Sequence, residues 1–293
     1  MNARTTAIIV NWNGAVFIDK LLTGLTQAEV KAIIVVDNAS RDDSLRIIQQ
    51  HSNVHLISNG SNVGFGAAAN RAIEASSTPY ILLLNVDVEV MPNSVQKLEE
   101  FLDRTPDAGI VAPRLNFPDG SLQLSCRRFP KIPDLFLYLS FLDRIFPSGY
   151  RLNDQMHQHT MEVDQPMGAA LMIRRLALEQ TGAFDPQFFL YMEEVDLCER
   201  MKEAGWKIFY LPESQMIHIA GGSSKQNFEK SQLHYFESLI RYFRKRKTAA
   251  EVFMLRIYIA LAMPVRFAVL LVRGRFQEAF FYLGMMYRIF TLK

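Results

Sequence analysis

The stretch FFLYMEEVDLCERMKEAGW, residues 188–206, sets Glu193, Glu194, Asp196 and Glu199 between an aromatic run and Trp206. Leu197, Cys198 and Met201 recur at helical spacing, which predicts a helix from about Glu193 with a buried apolar stripe. Glu194 falls on that stripe. Glu193, Asp196 and Glu199 fall on the other side, where first-turn acids complement the helix dipole and face water. Such a carboxylate reads either as a general base, its pKa raised by burial and lowered by the helix N-terminus, or as one more first-turn acid that complements the dipole. Asp87 follows an apolar strand in LLLNVDV. It reads either as a ligand holding a divalent cation against a diphosphate or as an Asx turn. His218, in MIHIAGG, reads as a metal ligand or as a core histidine. NVGFGAAAN, residues 62–70, places Gly64 and Gly66 before an Ala-rich helix. That order suits a phosphate-binding turn or a plain tight turn. It meets neither the G-x-G-x-x-G spacing nor the P-loop lysine.

The elements that must position these groups alternate along the first half. Strand signals at TAIIV (6–10), KAIIVVDNAS (31–40), NVHLIS (53–58) and YILLLNVDVEV (80–90) are separated by helical segments. The pattern predicts an α/β fold, a mostly parallel sheet with flanking helices. Ser40 and Asp43 read as the N-cap and N3 partner of one such helix. Ligands of open α/β sheets bind beyond the carboxyl ends of the strands. That edge would collect Asn11, Asn13, Asp37, Asn38, Asn85 and Asp87. Further along come a hairpin around Pro118-Asp119-Gly120, a strand at GAALMIRR (168–175), and strands at KIFYLP (207–212) and MIHIAGGSS (216–224).

Apolar residues make up 49% of the 293 and charged residues 21%, a balance that builds a core. The net charge of +2 hides an asymmetry: residues 225–293 carry 13 Lys and Arg against 4 Asp and Glu. A domain of residues 1–224 is therefore expected to bear a basic helical appendage, residues 225–293. Within it, Arg256, Arg266 and Arg273 interrupt an apolar stretch whose longest uncharged run is 257–265. A spanning helix needs about 20 apolar residues. The expectation is an interfacial helix with arginines at its rim, on an anionic membrane surface, the alternative being a helical pair packed on the first domain. No nucleic-acid-binding module is recognisable. Two cysteines, Cys126 and Cys198, exclude a disulfide framework and a cysteine metal site. The N-terminal apolar run is too short for a signal peptide, so a cytoplasmic location is expected.

The segments IIVNWNG, IIVVDNAS, NVGFGAAAN, LLLNVDV, GAALMIRR, FDPQFFLYMEEVDLCERMKEAGW and MIHIAGGSS resemble, in order and spacing, the family 2 glycosyltransferases of GT-A (Rossmann-like) fold. Within them the rhamnosyltransferase-like branch is most similar. The resemblance covers roughly residues 6–224 and implies an inverting hexosyltransferase. It implies a nucleotide-diphospho-sugar donor, dTDP-L-rhamnose, a lipid-linked glycan acceptor and a divalent cation, Mg²⁺ or Mn²⁺. It places the enzyme peripherally at the inner face of the cell membrane. Carried over by motif, Asp37 reads the base, and Asn11 and the Asn62-Val63-Gly64 turn line the nucleotide site. Asn85 lies at the nucleotide sugar, and Asp87 and His218 hold the metal. Glu194 is the base, and Glu193, Gly168 and Trp206 lie around the acceptor. Two departures stand out: the metal motif begins with Asn85 where Asp is usual, and the base is Glu where Asp is usual. Transfer from a UDP-hexose, or a silent glycan-binding scaffold of the same fold, are the alternatives.

Overall fold

The computed structural model describes residues 4–146, 148–219 and 228–292. The chain forms two compact units. The first begins with β1 (Thr5–Asn11), α1 (Ile18–Gln27), β2 (Ala32–Asp37), α2 (Ser44–Ile48), β3 (Val54–Ser58), α3 (Phe65–Glu74) and β4 (Tyr80–Asn85). β1 and β4 are apolar runs buried along almost their whole length, as strands covered on both faces must be. Their parallel registers align the polar strand ends. Asn11 pairs with Asp37, Asp37 with Ser58, and Val10 with Asn85. The sequence pattern thus produces one polar edge. It runs past the point between β1 and β4 where the crossovers change direction, the usual crevice for a ligand.

The chain continues through β5 (Val88–Val90), α4 (Ser94–Arg104), β6 (Ala108–Asn116), β7 (Leu122–Gln123) and β8 (Cys126–Arg127). It enters the second unit with α5 (Ile132–Leu139) and returns at β9 (Met161–Glu162) and β10 (Gln165–Pro166). Then follow β11 (Ala170–Arg174), α6 (Arg175–Thr181), α7 (Glu193–Glu203) and β12 (Lys207–His218). The main sheet order is β3-β2-β1-β4-β11-β6-β12-β5. β11 runs antiparallel to both neighbours, β4 and β6, so its beginning lies at the polar edge. The hairpin expected at Pro118-Asp119-Gly120 joins β6 to β7, with Gly120 at φ 83°.

Two local expectations are corrected. Ser40 does not cap α2, whose N-cap position is Asp43 with no side-chain cap bond. Ser40 turns instead to Asn11 and Asn13. The segments 207–212 and 216–218 are one strand, β12, with its register to β6 broken between Leu211 and Gln215. Pro212 has no N–H for the ladder, and β12 absorbs it as an irregularity. Residues 220–224 of the last motif, and the expected boundary at 224/225, lie outside the described residues.

The second unit comprises residues 128–151, 190–192 and 228 onward. Its helices are α5, α8 (Phe228–Arg246), α9 (Ala249–Val272) and α10 (Phe276–Arg288). α9 starts with a Thr248–Glu251 capping box, which satisfies two first-turn donors. Two of the expected rim arginines are internal. Arg256, 7% exposed, donates to the carbonyls of Ile289 and Leu292 at 2.6 and 2.7 Å. Arg266 donates to Leu139 O and Tyr282 Oη and lies over the rings of Phe141 and Tyr282. These guanidiniums satisfy carbonyls just beyond α10 and at the last residue of α5, where the helical ladder supplies fewer donors.

Candidate functional site

Asn11, at the end of β1, is fully buried and donates to Asp37 Oδ1 at 2.8 Å, Ser44 Oγ at 2.9 Å and Ser40 Oγ at 3.0 Å. Its Oδ1 is buried without a hydrogen-bond partner. Gly14 leaves room for that oxygen, since a Cβ there would collide with it. Asp37, 1% exposed, also accepts from Ser40 N at 3.1 Å. Asn38 bonds Gly64 O and Asn59 Nδ2, tying the second strand end to the glycine turn. Asn62 Oδ1 accepts from Gly64 N at 3.0 Å, and Phe65 N donates to Phe189 O at 2.8 Å. The amides of Gly64 and Phe65, at the start of α3, are therefore used internally. Gly64 is required for another reason: its φ is 89°, and a Cβ would stand 2.5 Å from Phe189 O. The turn seats the loop that leads to α7.

Asp87 and His218 are brought together by β5, which pairs antiparallel with β12 and sets His218 opposite Val88. Both are buried, with His218 Nε2 3.4 Å from Asp87 Oδ1. Gln123 Oε1 lies 2.8 Å from His218 Nδ1. A ring that donates from Nδ1 to Gln123 turns the Nε2 lone pair toward the carboxylate, acceptor against acceptor. Nε2 is accordingly buried without a hydrogen-bond partner. A divalent cation would satisfy that arrangement, and Gln123 would then hold the ring as outer partners of metal-bound histidines do. Among the described residues no cluster of three or more His, Cys, Asp or Glu is assembled. The remaining positions around a cation would fall to donor oxygens and water.

α7 begins at Glu193, as expected, after two left-handed residues, Tyr191 (φ 68°) and Met192 (φ 66°). Gly168 lies against Glu194: a Cβ on the glycine would be 3.4 Å from both Cβ and Cγ of Glu194. The next residue, Ala169, accepts from Asn85 N at 2.9 Å. The start of β11 thereby joins Glu194 to the end of β4. Glu194 Oε2 is buried without a hydrogen-bond partner. Burial raises its pKa, opposed by nearby backbone amides, including those of Val195 and Gly168, and by the charge of Arg127. Glu193 is 5% exposed, and burial together with the Glu194 charge pushes its pKa well above the ordinary range.

The expectation that Glu193 and Asp196 face water is overturned. Asp196 is fully buried and holds Arg200 at 2.9 Å. Arg200 in turn donates to the carbonyls of Thr181, Gly182 and Ala183. This pair staples the α6–α7 loop. Trp206 is also displaced from its expected place beside the acceptor. It bonds Gln180 at 2.9 Å and packs on Gly109, at the start of β6, on the edge opposite the polar strand ends. Ser40, Ser44, Gln123 and Arg127 join the site without having been expected there. Ser40 carried a visible signal, its closeness to Asp37; Gln123 carried none outside the fold.

The model for glycosyl transferase family 2 matches residues 6–196. The chain is 29% identical over 230 residues to N-acetylglucosaminyl-diphospho-decaprenol L-rhamnosyltransferase of Mycobacterium tuberculosis, covering 72% of this chain and 74% of that one. It is 27% identical over 251 residues to rhamnosyltransferase WbbL of Escherichia coli, covering 82% and 92%. Among solved structures, mannosyltransferase PcManGT of Pyrobaculum calidifontis, in complex with GDP-Man and Mn²⁺, superposes with TM-score 0.60 at 13% identity. That match covers 99% of this chain and 88% of that one. GalNAc-T7 with UDP, GalNAc and Mn²⁺ superposes with TM-score 0.61 at 15% identity, covering 83% and 48%. The fold is of GT-A type.

Proposed function

The chain belongs to glycosyl transferase family 2, and from that premise we propose that it transfers L-rhamnose from dTDP-L-rhamnose to a lipid-linked glycan, inverting the anomeric carbon. The sugar and acceptor class are drawn from the two rhamnosyltransferases it resembles. We place the reaction at the inner face of the cell membrane, where a lipid-linked acceptor is met.

The observation that carries the chemistry is Glu194, set by Gly168 at the sheet's polar edge with an unpartnered carboxylate oxygen. Its raised pKa makes it a stronger base than a free carboxylate. In the proposed step the acceptor hydroxyl gives its proton to Glu194 as its oxygen bonds the anomeric carbon. The bond from that carbon to the diphosphate breaks, and the nucleoside diphosphate leaves with the electron pair. Asn11, Asp37 and the Asn62–Gly64 turn would shape the nucleotide end, and Asn85 would lie at the nucleotide sugar. Asp87 and His218 would hold the cation, which when bound neutralises charge developing on the diphosphate. The single carboxylate of the Asn85-Val86-Asp87 motif is balanced by the buried imidazole.

Nucleoside diphosphate release with candidate sugar donors, in Mg²⁺ or Mn²⁺, tests this function. Glu194→Gln is expected to lower kcat by about 10²–10⁴, with KM for the donor little changed. Full activity in that variant refutes the base assignment. Turnover of a UDP-hexose but not dTDP-L-rhamnose replaces the sugar, and no turnover of any donor favours the scaffold alternative.

A further inference from the structure

α9 is long and apolar enough to cross a membrane, yet only a third of its most apolar window is buried. Its packing explains both facts. The inner side carries Leu255, Arg256, Ile259, Ala262 and Met263, which meet α5, α8 and α10. Both mid-helix arginines point inward to carbonyls and rings. The outer side is left without a charged residue: Phe253, Leu261 and Val272 are 58, 59 and 90% exposed. α10 repeats the pattern with Phe276, Phe280 and Tyr287, 60, 61 and 71% exposed, within one narrow stripe at 3.6 residues per turn. Phe280 also edges onto Phe267 of α9, with ring centroids 5.8 Å apart, so the aromatic row borders that helix.

We propose that the outer face of the α9–α10 hairpin is a membrane-docking surface that lies in the plane of an anionic lipid leaflet. It deepens the membrane placement above and does not depend on which sugar is transferred. Charge identifies the occupant. Arg244, Lys245 and Lys247 precede α9, Arg273 stands at its turn to α10 beside the Arg275–Glu278 ion pair, and Arg288 closes α10. Bases therefore flank the apolar face at both ends, the distribution of a helix pair sunk to headgroup depth. A second copy docked by a two-fold axis would bring these bases together, where like charges repel. A spanning arrangement is disfavoured by the partners of α9. α10 has 13 residues and α5 has 8, so neither reaches across the roughly 30 Å hydrocarbon core beside it, and α8, long enough at 19 residues, carries Glu229, Lys230, Glu237 and Arg241 along its length.

The test is co-sedimentation of the full chain with phosphatidylcholine vesicles and with vesicles containing 30% phosphatidylglycerol (roughly physiological anionic content). Binding to the anionic vesicles, released by carbonate at high pH, is expected. Leu261→Ser with Phe280→Ser is expected to cut the partition coefficient at least tenfold, with unchanged circular dichroism and unchanged turnover of a water-soluble acceptor. Phe253→Ser with Phe276→Ser provides an independent pair. An environment-sensitive dye on a cysteine at position 261 should shift to the blue on vesicle addition, and one at the exposed Val16 position should not. Undiminished binding in both pairs overturns the proposal, as does resistance to carbonate extraction. A dimer in vesicle-free buffer that Leu261→Ser splits into monomers assigns the face to a second copy instead.

Discussion

At the residue scale the site is a set of acceptors held out of water. Glu193 shows what this costs. Burial and the charge of Glu194 raise its pKa in the fold above the ordinary 4.5. Above about pH 4.5 the unfolded chain releases this proton while the fold retains it. Its stabilising contribution is therefore complete at low pH and is lost as pH rises through the folded pKa. Glu193→Gln should flatten that decline, raising the urea midpoint relative to wild type at pH 8 and changing it least at pH 4.5. Each tenfold in the ionisation constant is worth about 1.4 kcal/mol. Equal pH slopes in the two proteins would contradict a proton held at Glu193. Motif and apolar spacing coincide at Glu194 in the sequence, yet in α7 the residue as a whole is only half-buried while Glu193 and Asp196 are buried. The burial of Glu193 and Asp196 was not legible, since helical spacing describes one stripe and α7 is covered on most of its circumference. The covering loop is fixed by Arg200, whose three carbonyl partners lie 17–19 residues earlier.

At the element scale, the strand ends and their polar residues were readable because parallel register follows from continuous apolar runs. The direction of β11 was not, because a short apolar strand carries no sign of its neighbours' polarity. Nor was the place of Trp206. α7 spans about 16 Å from Glu193 to Glu203, enough to carry the chain from one sheet edge to the other. The glycine turn before α3 has a packing role that its sequence did not display, against Phe189. Gly64→Ala should destabilise by about 1–3 kcal/mol from backbone strain alone, with a further loss from the contact with Phe189. Because that loop leads to Glu194, kcat should fall more than the donor KM rises. Gly66→Ala, at a helical φ, should cost less. Urea titration with an unchanged m-value separates the stability term, and a harmless Gly64→Ala would show that the loop does not rest on this turn.

At the scale of the whole molecule, both tryptophans, Trp12 and Trp206, lie in the first unit. Tryptophan fluorescence therefore follows the unfolding of that unit alone. A bound donor should stabilise it by mass action, about 2.7 kcal/mol at 100 times Kd. Mn²⁺ should add to this only in the donor's presence, since Asp87 and His218 supply too few ligands to hold the ion tightly alone. His218→Ala should abolish the Mn²⁺-dependent part while keeping the rest; an unchanged Mn²⁺ effect would move the ion elsewhere. Chain-wide charge asymmetry was visible from the sequence, whereas the inward turn of Arg256 and Arg266 depended on helix ends that only the packed unit supplies. The reversed strand β11 has a consequence for how such a chain can diversify. Along most of this sheet, lengthening a segment that follows a strand alters the ligand edge, and lengthening one that precedes a strand does not. At β11 the rule inverts. The segment entering it, at Gly168 and Ala169, touches both Asn85 and Glu194, so a graft of one or two residues there would reach the ligand edge from the side on which the other strands begin.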